Sequence, residues 1–419
     1  VRAWDECGGI VSRRHYQCNS FVKREFYPSI KEARIINSRS DVFKCFSGPF
    51  FKKVEEELYK LPEFVKHVPV KDRPDNILAL ATPGAVYVET DHTAFEAHIA
   101  PAFMRVCEIQ LYRYMAKQLP DYHNLMTHLF LALSGRNTCV FGGKRGARRI
   151  VAGVEGTRMS GDMCTSLGNG FTNLMLMLFA VKGLGGTCEG RVEGDDGIFA
   201  VKGLQPGPGV FNKLGFRIKM ELRGDISETS FCGNVFHPEV KANLCDAVKQ
   251  ITKFAWTTSN MRFNKRQWPA LLRGKALCGL ITNAGCPMME AFCKWIIRAT
   301  EGAGTKFGGT DGAPDWWEQH IAQCVARNEA VPIGVDERSR ALYEKVYGVP
   351  QSVQRLIEKY FDAQVDIHPI PFKVMELAFV PRNGVDFGAW ISEGRSVEAI
   401  PVTDLVSAQK RQTWIDQSM

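Results

Sequence analysis

The sequence predicts a mixed chain of helices and short strands, arranged in two or three lobes. Three observations predict it. Apolar residues flank Gly194-Asp195-Asp196-Gly197 on both sides, which reads as strand, tight turn, strand. Apolar stretches at helical length, including the Leu/Met-rich run from Phe171 to Val181, alternate with such strand signals. The length of 419 residues exceeds what one simple core organises.

Taken in order, the first stretch, to about Pro83, mixes cations with aromatics. It holds Phe21-Val-Lys-Arg-Glu25 and an extended apolar centre at Ile35-Ile36 with cations on either side. Phe50 to Leu61 reads as a helix. Ala85 to Asp91 is a strand by its β-branched and aromatic content, and it carries Asp91 to its C-terminal end. Phe95 to Leu119 and His123 to Leu133 read as helical. Gly142 to Gly161 is Gly-rich and basic, with Lys144, Arg145, Arg148, Arg149 and Arg158. A helix is expected after Gly161, capped by Asp162 and running through Asn173 to about Val181.

Beyond the hairpin, Pro206-Gly-Pro-Gly209 punctuates the chain. Val210 to Leu214 reads as a helical turn, Phe216 to Leu222 as a strand, and Ser230 to Phe236 as a short extended piece. From about Asn260 the pattern turns helical, most clearly at Gln267 to Leu280, Met288 to Thr300 and Val353 to Phe361, with a Gly-rich loop at Glu301 to Pro314.

Hydrophobic content of 45% and charged content of 23% are those of a globular chain and exclude a disordered or fibrous one. The net charge of +8 favours an acidic partner such as nucleic acid. Thirteen irregularly spaced cysteines argue for free thiols in a reducing compartment. Cys7, His15 and Cys18 fit no standard zinc spacing and are expected to be ordinary thiols and a histidine. No secretory leader opens the chain, and the longest apolar run is too short to span a bilayer. The chain begins with Val1 rather than Met, as a fragment or processed product would.

Two adjacent carboxylates at a hairpin tip are costly to bury without a counter-ion. They suit a magnesium ion, which takes hard oxygen ligands and retains waters and substrate phosphates. If the strand ending at Asp91 neighbours the hairpin, Asp91, Asp195 and Asp196 converge. Such a site can hold two divalent ions for an in-line displacement at phosphorus. In the segment Gly156 to Asn169, Thr165 and Asn169 are four apart and share a helix face. A hydroxyl and an amide there can read a ribose hydroxyl.

The motifs together resemble those of a viral RNA-dependent RNA polymerase of positive-strand type, in the tombusvirus-like group. Gly194-Asp-Asp196 resembles that family's motif C, and Ser160-Gly161, Thr165 and Asn169 its motif B. Asp91, Phe95 and His98 resemble motif A; Phe21 to Lys23, Arg34 and Arg39 resemble motif F. Leu214-Gly-Phe216 with Lys219 resembles motif D, and Phe231-Cys-Gly233 motif E. The motifs stand in the family's order and cover about half the chain.

The resemblance implies an α+β, right-hand polymerase fold with an antiparallel palm sheet, fingers and a mostly helical thumb. The expected divisions are 1–84 and 103–158 for the fingers, 85–102 and 159–240 for the palm, and 241–419 for the thumb and C-terminal region. Asp91, Asp195 and Asp196 would hold Mg2+, with Mn2+ as an alternative, and Lys219 would protonate the leaving pyrophosphate. Lys23, Arg34 and Arg39 would hold the triphosphate, and Glu96, Ser160, Thr165 and Asn169 would contact the nucleotide. Lys144, Arg145, Arg148, Arg149 and Gly161 would contact RNA. One position departs from the pattern: motif A commonly places a second aspartate where this chain has Glu96.

The expected partners are template and nascent RNA, nucleoside triphosphates and other viral replication proteins. The expected location is the host cytoplasm, at membrane-associated replication sites. A reverse transcriptase shares the paired aspartates but lacks the Ser160 to Asn169 pattern. An inactive RNA-binding replication module would not need Asp91, Asp195 and Asp196 intact.

Overall fold

Strand-forming residues gather in three sheets, and the computed structural model describes them within residues 2–23, 25, 32–142, 149–256, 267–307, 316–376 and 378. The first sheet contains β1 (Cys18–Val22), β2 (Ile35–Arg39), β4 (Arg136–Phe141) and β5 (Ile150–Glu155), in the order β2-β1-β4-β5. The second contains β3 (Val86–His92), β6 (Thr187–Glu193), β7 (Asp196–Lys202) and β8 (Ile218–Arg223), in the order β6-β7-β3-β8 with every pair antiparallel. A hairpin of β9 (Asn234–His237) and β10 (Val240–Cys245) makes the third.

Strand β7 sits inside the second sheet, and both its faces are covered. Ile198, Phe199, Ala200 and Val201 are all buried, as an uninterrupted apolar run requires. Phe199 and Val201 face a core shared with Val88 and with Leu174 and Met177 of the helix Thr165–Gly183. Ile198 and Ala200 face a second cluster with Tyr87, Val65, Ile77 and Phe231. The sheet is thereby a fixed floor for whatever its strand ends present.

A separate core joins the C-terminal helices Trp268–Asn283, Met289–Ala299, Glu337–Tyr347 and Gln351–Ala363 to the β9-β10 hairpin through Val235, Leu244, Trp295 and Phe361. A cut at residue 240 would divide that hairpin, because Val240 pairs with His237.

Several expected bounds shift. The helix read from Phe50 begins at Asp41 and runs through Pro49 to Leu58, with the Ser40 side chain accepting from the Phe43 N–H at 3.3 Å. Phe95 to Leu119 divides into Phe95–His98, Pro101–Val106 and Glu108–Ala116. The helix after Gly161 starts at Thr165, so Asp162 stands before it and does not cap it. Among the described residues no helix is long and apolar enough to cross a membrane, and the thirteen cysteines form no disulfide with one another.

Candidate active site

Gly194 and Asp195 form a two-residue hairpin loop, closed by the pairing of Glu193 with Asp196 at the start of β7. Gly194 takes φ +66°, a positive angle at the first central position, as a type II′ turn needs. Next to it, β3 pairs with β7 through Thr90 and Gly197, so Asp91 and Asp196 come one step later at the same end of the sheet. On the other side of β3, Asp91 pairs with Lys219 of β8. Local strand and turn signals suffice to form each piece; the sheet order brings them together.

Asp91, Asp196 and Lys219 line a cavity of about 520 Å³ with Glu221, Arg223 and Cys232. Asp195 stands exposed at the turn. Asp196 keeps an exposed surface but is crowded by Cys232 and Glu193. Restricted solvation first, then the negative charges of Asp195 and Asp91, push its carboxyl up to about 6. No ion pair among the described residues uses Asp91, Asp195 or Asp196. Carboxylate oxygens at this end of the sheet are hard donors of the kind a divalent cation takes. Among the described residues, no three or more His, Cys, Asp or Glu stand close enough to hold a metal ion by themselves. An ion here would complete its shell with water and phosphate oxygens, as magnesium commonly does.

The helix Thr165–Gly183 packs against this corner. Asn169 is buried, and its Nδ2 donates to Glu96 Oε1 at 3.2 Å. Its Oδ1 has no protein partner. One turn earlier, Thr165 is occupied by its own backbone: Oγ1 donates to the Asp162 carbonyl at 2.8 Å and accepts from the Gly161 N–H at 3.3 Å. The Thr165 hydroxyl, expected to contact the nucleotide, is thus engaged by the loop it closes. Gly161 has φ +107°, and a Cβ there would lie 2.8 Å from Ile36 Cγ2. The adjacent Ser160 carbonyl accepts from the Asn37 N–H at 2.6 Å, so the loop is stitched to β2.

Arg39 also differs from its expected role. Nε and Nη2 donate to the two Asp162 carboxylate oxygens at 2.7 and 3.0 Å, and Nη1 donates to the Tyr16 carbonyl at 2.7 Å. With only 2% of its surface exposed, it is a structural clamp sealed away from solvent and so from a triphosphate. Lys23 and Arg34 are exposed and both pair with Glu25. Lys219 is exposed and pairs with Glu221 at 2.7 Å, which raises its pKa and keeps it charged. Arg149 is exposed ahead of β5, whereas Lys144, Arg145 and Arg148 lie outside the described residues. Cys18 is buried against Cys139 and Met159.

Sequence reasoning missed two buried groups. Arg158 and Glu108 form an ion pair beneath the helix, with Tyr112 donating to the same carboxylate. Asn173 joins His92 to the hairpin turn. Its position eight after Thr165, on the same face as Asn169, was the available signal.

Residues 83–365 match the family described as viral RNA dependent RNA polymerase, well over half of the chain. The chain belongs to the viral RNA-dependent RNA polymerase family. It is 24% identical over 378 residues to the RNA-directed RNA polymerase of Groundnut rosette virus, covering 84% of this chain and 43% of that protein. It is 24% identical over 403 residues to the RNA-directed RNA polymerase of Oat chlorotic stunt virus, covering 85% of this chain and 50% of that protein. A putative RNA-directed RNA polymerase of Barley yellow dwarf virus (isolate PAV) is 27% identical over 231 residues, covering 50% of this chain and 25% of that protein. The chain thus spans half or less of the length of these polymerase-family relatives.

Proposed function

We propose that the chain is the polymerase portion of a plus-strand RNA virus replication enzyme, transferring nucleotides from nucleoside triphosphates to a 3′-hydroxyl under RNA direction. The observation that carries this reading is the placement of Asp91 beside the Gly194-Asp195-Asp196 turn, backed by the helix bearing Asn169.

Asp91, Asp195 and Asp196 would hold Mg2+ or Mn2+. A divalent ion so bound supplies charge neutralisation for the attacking oxygen and the leaving pyrophosphate. The protein's own contribution is mainly positioning. Asn169, held by Glu96, retains a free carbonyl oxygen that can accept from a ribose hydroxyl. Lys219, opposite Asp91, is the group we assign to protonate pyrophosphate. Lys23 and Arg34 would guide the triphosphate, exchanging Glu25 for phosphate oxygens. Ser160 would contact the nucleotide, Gly161 would contact RNA, and Arg149, with Lys144, Arg145 and Arg148, would meet RNA phosphates.

In this reading the sheet of β3 and β6–β8 is the palm, residues 1–84 and 103–158 the fingers, and the C-terminal helical core the thumb. Template and nascent RNA and other viral replication proteins are the partners, in the host cytoplasm at membrane-associated sites. The test is template-dependent incorporation with Mg2+ by the purified chain beside Asp195→Ala. Ribonucleotide incorporation that Asp195→Ala abolishes is expected; equal incorporation by both rejects the assignment. Preference for deoxyribonucleotides would favour a reverse transcriptase instead.

A further inference from the structure

We infer that Asn173 is a positioning residue that sets the placement of the Gly194-Asp195-Asp196 turn against the Asp91 end of β3, with His92 as its partner. The inference rests on the polymerase reading above and goes beyond it, because neither side chain touches substrate in that scheme.

Asn173 is 1% exposed. Its Nδ2 donates to the Asp195 backbone carbonyl at 2.9 Å, and its Oδ1 lies 3.2 Å from His92 Nε2. A backbone carbonyl can only accept, so the amide nitrogen must face the turn. The amide oxygen then faces His92, whose Nε2 must carry the hydrogen and donate. One carboxamide thus joins the residue after Asp91 to the backbone of Asp195.

Both ends of this link are held. The His92 ring packs 4.3 Å from the Phe95 ring and edge-on to Phe216. Asn173 sits mid-helix, one turn beyond Asn169. Gly197 leaves room for the amide: a Cβ there would lie 2.9 Å from Asn173 Nδ2 and 2.7 Å from Thr90 Oγ1. An amide placed only to fill the core would need no such partners, and an apolar residue would serve better. The arrangement adds a buried bond to the β3-β7 ladder, so the position of Asp195 against Asp91 does not depend on the exposed two-residue loop alone.

The test uses the full chain and two near-isosteric variants, Asn173→Leu and His92→Phe. Mn2+ binding is measured by calorimetry without RNA, beside kcat, KM for nucleotide and cooperative unfolding. Loss of a partner that orients metal ligands is expected to weaken Mn2+ binding by about 10- to 100-fold. The kcat should fall, with KM for nucleotide unchanged within about twofold, because transition-state positioning rather than uniform binding is lost. His92→Gln, which restores an amide donor toward Asn173, should recover much of what His92→Phe loses. If Asn173→Leu does not fold, His92→Phe breaks the same link from the strand side and decides the matter. Wild-type Mn2+ affinity in the folded variants, with Asp195→Ala abolishing binding, overturns the positioning role alone. Equal Mn2+ binding by wild type and Asp195→Ala overturns the proposed site itself.

Discussion

Arg39 and Asp162, 123 residues apart, form a two-point ion pair that ties β2 to the loop preceding the Thr165–Gly183 helix. Both side chains are nearly sealed from solvent. Burying two charges is repaid only by such geometry, and removing one partner leaves the other stranded. Arg39→Ala should therefore cost about 3–5 kcal/mol of stability. Chemical denaturation measures this. If Arg39 instead served the triphosphate, the variant would keep its unfolding midpoint and raise KM for nucleotide.

Asp196 gives the site a pH dependence whose sign follows from its raised pKa of about 6. Crowding disfavours the charged form in the folded state, so the metal-free protein is penalised above pH 6 and relieved as pH falls toward the ordinary aspartate range. A cation needs the charged form and competes with the proton. Mn2+ affinity should therefore rise with pH through about 6 and level off above it. Calorimetric titrations from pH 5 to 8 check this; a flat profile would show that Asp196 does not bind the ion.

Glu96 reaches Asn169 at 3.2 Å with one methylene more than the aspartate common at this position. Glu96→Asp withdraws the acceptor while leaving the rest of the corner in place. Polymerisation should persist, with ribose-over-deoxyribose preference weakened about fivefold, the worth of one hydrogen bond near 1 kcal/mol. Competition between ribo- and deoxyribonucleotides measures the ratio, and an unchanged ratio removes Glu96 from sugar selection.

The parts of this site that were legible in the sequence are those set by local rules. The Gly194 turn, the strand ending at Asp91 and the helix bearing Asn169 each follow from turn chemistry or periodicity within a few residues. The misread parts depend on side-chain partners that no local pattern names. Arg39 was assigned to the triphosphate because nothing nearby announces Asp162, 123 residues on, and the Thr165 hydroxyl turns back to its own loop instead of facing a ligand. Pro49 obscured the start of its helix, although Ser40 was a readable cap. The β9-β10 hairpin was half-read, since β10 needs the C-terminal core to cover it.

The two glycines flanking the aspartates serve different physical needs, and alanine at each separates them. At Gly194 a Cβ meets nothing within 4 Å, but φ is +66°. Gly194→Ala should cost about 1–2 kcal/mol through backbone strain alone, confined to the turn. At Gly197 φ is ordinary and space is the constraint: a Cβ would lie 2.6 Å from Phe199 Cε2 and 2.7 Å from Thr90 Oγ1. Neither β7 nor β3 can retreat easily, because both lie inside the sheet with covered faces. Gly197→Ala should lose about 1–3 kcal/mol by overpacking. It should also displace the Asn173 amide, so incorporation should fall further than in Gly194→Ala at matched stability. Unfolding midpoints beside incorporation rates for both variants test the ordering. Equal activity at equal stability would mean that the turn tolerates a shift of the buried amide beneath it.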